Sequence, residues 1–319
     1  MAACKLTLCC LYPEILGACG DRGNLAAIVH RCGWRGIATE VRGLRHGDPV
    51  RPDDADIILI GDGEDLHRRL IAPDLADVKG PGLREAAGQG AAVLAVGVGY
   101  QLLGRFYQPA RGAELPGAGL FDAWTIQPAA DPGLACGAEA ERAAGDLLVR
   151  WGDELLVGFE DHRARTYLGP TAQALGQVVM GLGNSGDGHE GVLIGAAVGT
   201  YLRGPCLPRN PALADFLIRA ALARRYGEAD LEPLPDEFER AAHDTAVRRI
   251  RIAGRAGTPR PGLARGPRAA SGDCGGPHTV VAWTTRRSSG TSMSSSRPST
   301  SCAASSPQVS CPPTRSTPG

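Results

Sequence analysis

The stretch Ala91–Gly104, A-A-V-L-A-V-G-V-G-Y-Q-L-L-G, constrains the fold more than any other part of the chain. Val93–Val96 is a short apolar run with β-branched residues, the composition of a strand buried on both faces. Gly97 and Gly99 permit a sharp turn with positive φ, and Tyr100–Phe106 reads as the start of a helix. Strand, tight turn and helix in that order lift one side chain clear of a sheet at the positive end of a helix. α/β proteins commonly present a nucleophile this way. Here the turn is Gly97-Val98-Gly99 and carries no Ser, Cys or Thr. On these residues alone it is a plain βα turn of a doubly wound sheet.

The rest of the N-terminal half repeats the alternation. Lys5–Leu11 reads as a first strand, followed by a loop, Tyr12–Asn24, holding G-D-R-G-N. Asn24 reads as the N-cap of a helix over Leu25–Cys32, closed by Gly33. Ile37–Val41 and Ile57–Ile60 read as further strands, the latter followed at once by Gly61-Asp62-Gly63 and a helix from about Asp65. Leu83–Gln89 is another helix. The pattern predicts a mostly parallel sheet with helices on both faces. Gly61–Asp65 and Gly97–Tyr100 then fall at carboxyl ends of strands, where such sheets bind ligands.

The middle changes character. Phe121–Gln127, Asp146–Trp151, Leu155–Glu160, Arg165–Leu168, Gln177–Gly181 and Val192–Val198 read as antiparallel strands and hairpins extending the sheet. Ala129–Glu139 reads as a surface-loop insertion and Asn184–Gly188 as a turn. Asn210-Pro211 signals a helix start. Leu213, Phe216, Leu217 and Ala220 then lie on one helical face, and Gly227 ends the helix. Asp236–Ala253 reads as a loosely packed charged helix with Phe238 and Ala242 on its apolar side. From about Gly257, Pro, Gly, Ser, Thr and Arg dominate, and 257–319 reads as a disordered tail.

Bulk properties exclude some functions. The formal net charge is zero, so nothing electrostatic favours nucleic acid or an anionic membrane as a partner. No apolar run approaches the ~20 residues of a membrane span. The ten cysteines show no C-x-x-C spacing and no Cys/His cluster. They read as free thiols of a cytoplasmic chain, with no metal site.

Five segments occur in order: L-Y-P-E-I-L-G-A-C-G-D-R-G-N, G-D-G-E-D, V-G-V-G-Y-Q-L-L-G, G-F-E-D-H-R-A-R-T-Y-L-G and G-T-Y-L-R-G-P-C-L-P-R-N-P. Together they resemble the glutamine amidotransferase subunit of lipid II isoglutaminyl synthase, a class I amidotransferase of the cobyric-acid-synthase type. The similarity runs from about Lys5 to Gly227, more loosely to about Gly254. The resemblance implies a flavodoxin-like α/β sandwich over about 1–256. It also implies a Cys nucleophile, a His base, and backbone N–H groups that hold the oxyanion. Ammonia released from glutamine would pass to a Mur-ligase-like partner subunit, which amidates the D-glutamate of the lipid II stem peptide. ATP and Mg2+ then belong to that partner, and no cofactor to this subunit.

The chain departs from this pattern at the chemistry. The family's C-G-G-Y-Q is here Gly97-Val98-Gly99-Tyr100-Gln101, with Gly97 at the Cys position. The family's T-Y-L-H-G-P is here Thr200-Tyr201-Leu202-Arg203-Gly204-Pro205, with Arg203 at the His position. An Arg does not act as a base at neutral pH. Asp62 interrupts a G-G-G loop between Gly61 and Gly63, and its carboxylate would repel an oxyanion. Val98 replaces a turn glycine. Arg142, in E-R-A-A-G-D, matches the family's substrate-contacting Arg and would fork onto the glutamine α-carboxylate; Gln101 is the other substrate-side candidate. Cys206, His162 and His189 are the remaining groups that could stand in. Three readings stay open: a noncatalytic subunit that still docks its partner, an active amidotransferase with sequence errors, and a small-ligand or regulatory module walled by Asp62 and Arg203.

Overall fold

The computed structural model describes residues 4–17, 21–128, 142–227 and 230–255. The chain opens with β1 (Lys5–Leu11), α1 (Asp21–Trp34), β2 (Ala38–Leu44) and β3 (Ile57–Ile60). Helix α2 (Asp65–Asp74) runs through a π-helical stretch, Leu75–Lys79, into α3 (Gly80–Gly88). Strand β4 (Ala92–Val96) and the short α4 (Val98–Leu103) follow. The middle holds β5 (Phe106–Gln108), β6 (Leu115–Pro116), β7 (Ala123–Ile126), β8 (Ala143–Trp151), β9 (Glu154–His162), β10 (Arg165–Leu168), β11 (Gly176–Met180) and β12 (His189–Glu190). The last elements are β13 (Val192–Ile194), β14 (Ala197–Thr200), α5 (Cys206–Arg209), α6 (Pro211–Tyr226) and α7 (Glu237–Arg255).

Every residue of β3 (I-I-L-I), β4 (A-V-L-A-V) and β14 (A-V-G-T) is buried. A strand with neighbours on both sides and helices over both faces has no exposed position, so its sequence runs apolar without alternating. These strands occupy the middle of a six-stranded sheet of order β13-β14-β4-β3-β1-β2. All its pairings are parallel except that of the edge strand β13. The other edge, β2, has no fully buried residue.

The chain steps from β1 to β2 in one direction and from β3 through β4 to β14 in the other. Right-handed crossovers therefore place α1 on one face and α2–α3 on the opposite one. Helix α6 returns to the α1 face, where Arg31 of α1 forks onto Asp215 of α6 at 2.7 Å. Reversal of strand order opens a crevice at the carboxyl edge of such a sheet. The segments after β1, β3, β4 and β14 all emerge on this edge.

Three expectations are corrected. The middle strands between Phe121 and Gly181 do not join the central sheet: they form two separate four-stranded sheets, β10-β7-β5-β6 and β12-β11-β8-β9. The reason is mutual pairing, since β8 and β9 align over their full length from Ala143↔His162 to Trp151↔Glu154 and β8 takes β11 on its other side. Val192–Val198 does extend the central sheet, as expected, as a hairpin of β13 and β14 folded at Gly195 (φ 57°). Helix α1 begins at Asp21, so Asn24 lies inside it, buried, and its Oδ1 accepts the Leu207 N–H at 2.9 Å instead of capping. Helix α4 starts at the turn and stops at Leu103, because Phe106 enters β5.

Elsewhere the helix start at Asn210-Pro211 stands, but Asn210 makes no side-chain cap. Its amide spans to β9 instead, accepting the Val157 N–H at 2.8 Å and donating to the Val157 carbonyl at 2.9 Å. Helix α7 buries Val247 and Ile250 against Leu148 and Val157, whereas Phe238 stays 86% exposed and Ala242 exposed. Cys4 is disulfide-bonded, while Cys9, Cys10, Cys32 and Cys206 are free; sequence spacing gave no sign of that bond. The expected loop over Ala129–Glu139 and the tail from 257 lie outside the described residues.

Candidate functional site

The site is built on the turn between β4 and α4. Gly97 has φ 55° and ψ −110°, a backbone state in which any other residue is strained. The turn is fixed on every side. The Gly97 N–H donates to the Thr200 carbonyl (3.0 Å), the Gly99 N–H to the Gly61 carbonyl (3.1 Å), and the Gln101 N–H to the Gly97 carbonyl (3.0 Å). Gly99 packs tightly on Ile60, whose Cγ1 and Cγ2 would each lie 2.9 Å from an added Cβ. The geometry that presents a nucleophile is therefore complete, with no side chain at its apex.

Asp62 fills the space above the apex. It is 1% exposed, and its Oδ1 accepts the Val98 N–H at 2.9 Å. A Cβ placed on Gly97 would lie 3.0 Å from Asp62 Oδ2 and closer still to Oδ1 and Cγ. Arg203 closes over the same carboxylate, with Nη2 3.2 Å from Oδ1 and Nε 2.9 Å from Oδ2. The Nε contact is an ion pair and not an aligned hydrogen bond. Arg203 is held there by its backbone, whose N–H donates to the Phe159 carbonyl of β9 at 2.9 Å. Asp21, the first residue of α1, accepts the Asp62 N–H at 2.7 Å. Burial, with the neighbouring Asp62 charge added, pushes the Asp21 carboxyl up to about 7, against the opposing pull of the Asp62 N–H and Arg203.

A second layer supports this pair. Gln101 is 2% exposed; its Nε2 donates to Tyr201 Oη at 3.2 Å and its Oε1 accepts from Arg68 Nε at 3.1 Å. The Tyr201 and Thr166 hydroxyls are hydrogen-bonded, Oη to Oγ1 2.7 Å. The His162 ring stacks on the Tyr201 ring, centroids 3.8 Å apart and 9° from parallel, and its Nδ1 lies 2.8 Å from the Ala164 carbonyl. Glu190, fully buried, accepts the Tyr201 N–H at 2.7 Å and the Thr200 hydroxyl at 3.1 Å. Burial pushes its carboxyl up to about 8. The strand end that carries residue 203 is thus anchored from below.

A cavity of about 560 Å³ opens beside the apex. Asp62, Gly63, Gln101, Arg142, His162 and Arg203 line it, so the fold gathers most of the candidates read from the sequence. Gly61 and Val98 hold the turn through the backbone bonds just given but do not line the cavity. Arg142 is exposed and forks onto Asp161, with Nη2 2.7 Å from Oδ2. Cys206 is fully buried against Asn24, and burial pushes its thiol up to about 12; it does not line the cavity. His189 is exposed on β12, its Nδ1 3.6 Å from Asp187 Oδ2. Sequence reasoning passed over Asp21, Arg68 and Glu190. Asp21 had a signal, its place in G-D-R-G-N. Among the described residues no cluster of three or more His, Cys, Asp or Glu side chains could hold a metal, and no helix is long and apolar enough to cross a membrane.

Comparison with known proteins identifies the family. Residues 23–211 match the CobB/CobQ-like glutamine amidotransferase domain. The GatD subunit of the glutamine-hydrolysing lipid II isoglutaminyl synthase of Staphylococcus aureus is 32% identical over 248 residues, covering 77% of this chain and 96% of that protein. The same subunit from Streptococcus pneumoniae is 31% identical over 227 residues, covering 70% and 83%. Among solved structures, PurLQS from Thermotoga maritima matches with a TM-score of 0.45 and 17% identity, covering 68% of this chain and 98% of that one. The chain belongs to the CobB/CobQ-like glutamine amidotransferase family, as a GatD-like member.

Proposed function

We propose that this chain is the amidotransferase-type subunit of a lipid II isoglutaminyl synthase and that it has lost glutamine hydrolysis. The observation that carries the second half is the Asp62–Arg203 ion pair over Gly97. Thioester chemistry needs a nucleophile at the apex of the turn, a base that can take its proton, and free N–H donors for the oxyanion. Gly97 offers no nucleophile. An arginine at position 203 is no substitute for a histidine base. The Val98 N–H is already bonded to Asp62 Oδ1, and that carboxylate repels negative charge developing beside it. The three substitutions support one another: Arg203 neutralises Asp62, and Asp62 occupies the room that a side chain at position 97 would need.

In this reading the subunit still forms a heterodimer with a Mur-ligase-like partner in the cytoplasm. The partner binds ATP and Mg2+ and draws ammonia from solution for peptidoglycan precursor amidation. The test is to purify the chain co-expressed with that partner. Ammonia release from glutamine and amidation supported by ammonium are then measured separately. The expected result is a stable complex on a sizing column, no release from glutamine, and product with ammonium. Release of ammonia from glutamine that depends on this subunit would overturn the reading.

A further inference from the structure

The cleft does not end at the cavity beside the turn. A second cavity of about 310 Å³ adjoins it, and Asp65, Arg68, Tyr107 and Gln127 line both. Two of these residues are tied together, Tyr107 Oη donating to Gln127 Oε1 at 2.9 Å. Arg68 lies against the same ring, its guanidinium carbon 4.1 Å from the Tyr107 centroid. The annex adds two cations of its own, Arg69 from α2 and Arg111 from the turn after β5.

The charge balance of the two cavities differs. The cavity beside the turn sets four guanidinium groups against four carboxylates. The annex sets three guanidinium groups against one carboxylate, Asp65, whose Oδ1 is already taken by Arg68 Nη1 at 2.6 Å. Among the described residues neither Arg69 nor Arg111 forms an ion pair; Arg69 Nη2 donates to the Arg111 carbonyl at 3.3 Å. Gly112, at φ 100°, turns the chain there, and its missing Cβ would sit 3.5 Å from Arg69 Nη1. The backbone thus places Arg111 beside Arg69, with no ion-paired counter-charge among the described residues. Like charges gathered at one concave site raise the local potential for an anion, and guanidinium forks match the paired oxygens of carboxylates and phosphates.

We propose that this annex, bounded by Arg68, Arg69 and Arg111, is a binding site for the anionic oxygen group, carboxylate or phosphate, of a small ligand. The site is independent of whether the turn at Gly97 performs chemistry. It also gives the cleft a charge selectivity that the balanced cavity beside the turn lacks.

The test is calorimetric titration of the full chain with inorganic phosphate and, separately, with glutarate, in low-salt buffer. The R69Q/R111Q variant is titrated in parallel. Both side chains are exposed, so the fold survives their replacement, and circular dichroism verifies this. The expected result is saturable binding of at least one anion, weakened about tenfold or more in the variant, as loss of charge-assisted bonds dictates. Which anion binds assigns the ligand group. Absence of saturable binding by both anions, or binding by the variant at native affinity, would overturn the proposal.

Discussion

Restoring the dyad by Gly97→Cys with Arg203→His is expected to leave ammonia release at background, and adding Asp62→Gly is expected to raise it. The magnitudes follow from the site. A Cβ at position 97 meets the Asp62 carboxylate with only 3.0 Å to Oδ2 and less to the other atoms, so Asp62 must move. Arg203→His removes its counter-ion, leaving a carboxylate that is 1% exposed unpaired. Breaking a buried pair from one side costs about 3–5 kcal/mol. The strained turn adds about 1–3 kcal/mol once it carries a side chain. The double variant should therefore melt at least about 10 °C below the native protein.

Its chemistry is also blocked, because Asp62 holds the Val98 N–H and loss of one oxyanion donor costs about 10²–10³ in rate. Replacing Asp62 by Gly removes the overlap, the unpaired charge and the competitor together. The triple variant should release ammonia from glutamine at least about 10² faster than the double variant in a coupled glutamate dehydrogenase assay. A double variant working within tenfold of the triple would refute the argument that Asp62 obstructs the oxyanion site.

Three other outcomes follow from the structure. Burial pushes the Asp21 carboxyl up from the ordinary 3.8 to about 7, so the folded state holds a proton that the unfolded chain releases. Stability should fall as pH rises from about 4 to about 7. Asp21→Asn should flatten that fall in melting scans; Glu190, raised from 4.5 to about 8, extends the remaining slope upward. Cys206, fully buried with its thiol near 12, should resist iodoacetamide in the native protein at pH 8 and react only in denaturant, as peptide mass mapping will show. Arg31 is 4% exposed and binds both Asp215 and Asp236. Arg31→Ala should cost about 3–5 kcal/mol in urea denaturation and speed proteolysis near residue 236, where the segment leading into α7 is pinned.

The sequence revealed what depends on local pattern and concealed what depends on pairing. The central strands were legible because Ile57–Ile60 and Val93–Val96 are apolar at every position, which only a doubly covered strand tolerates. Where the middle strands paired was not legible. Partner choice between β8, β9 and β11 is decided over tens of residues, and short alternating segments fit an extended sheet as well as a separate one. Asn24 misled for a different reason: its type suits a cap, yet its amide is used by Leu207, 183 residues away. At the site, Gly97, Asp62 and Arg203 could each be marked by motif position. That Asp62 and Arg203 neutralise one another across 141 residues of sequence is a property of the folded sheet edge alone.

The turn at Gly97 has one more consequence. In a working nucleophile turn, a side-chain-bearing residue is forced into a backbone state it disfavours, and the surrounding fold keeps that spring wound. Glycine accepts φ 55°, ψ −110° freely, so here the spring is slack. The same replacement that removes the reactive group also releases the tension that served it. Losing the chemistry therefore makes the native state more stable at this position. The turn keeps its shape because the bonds to Thr200, Gly61 and Asp62 still define it.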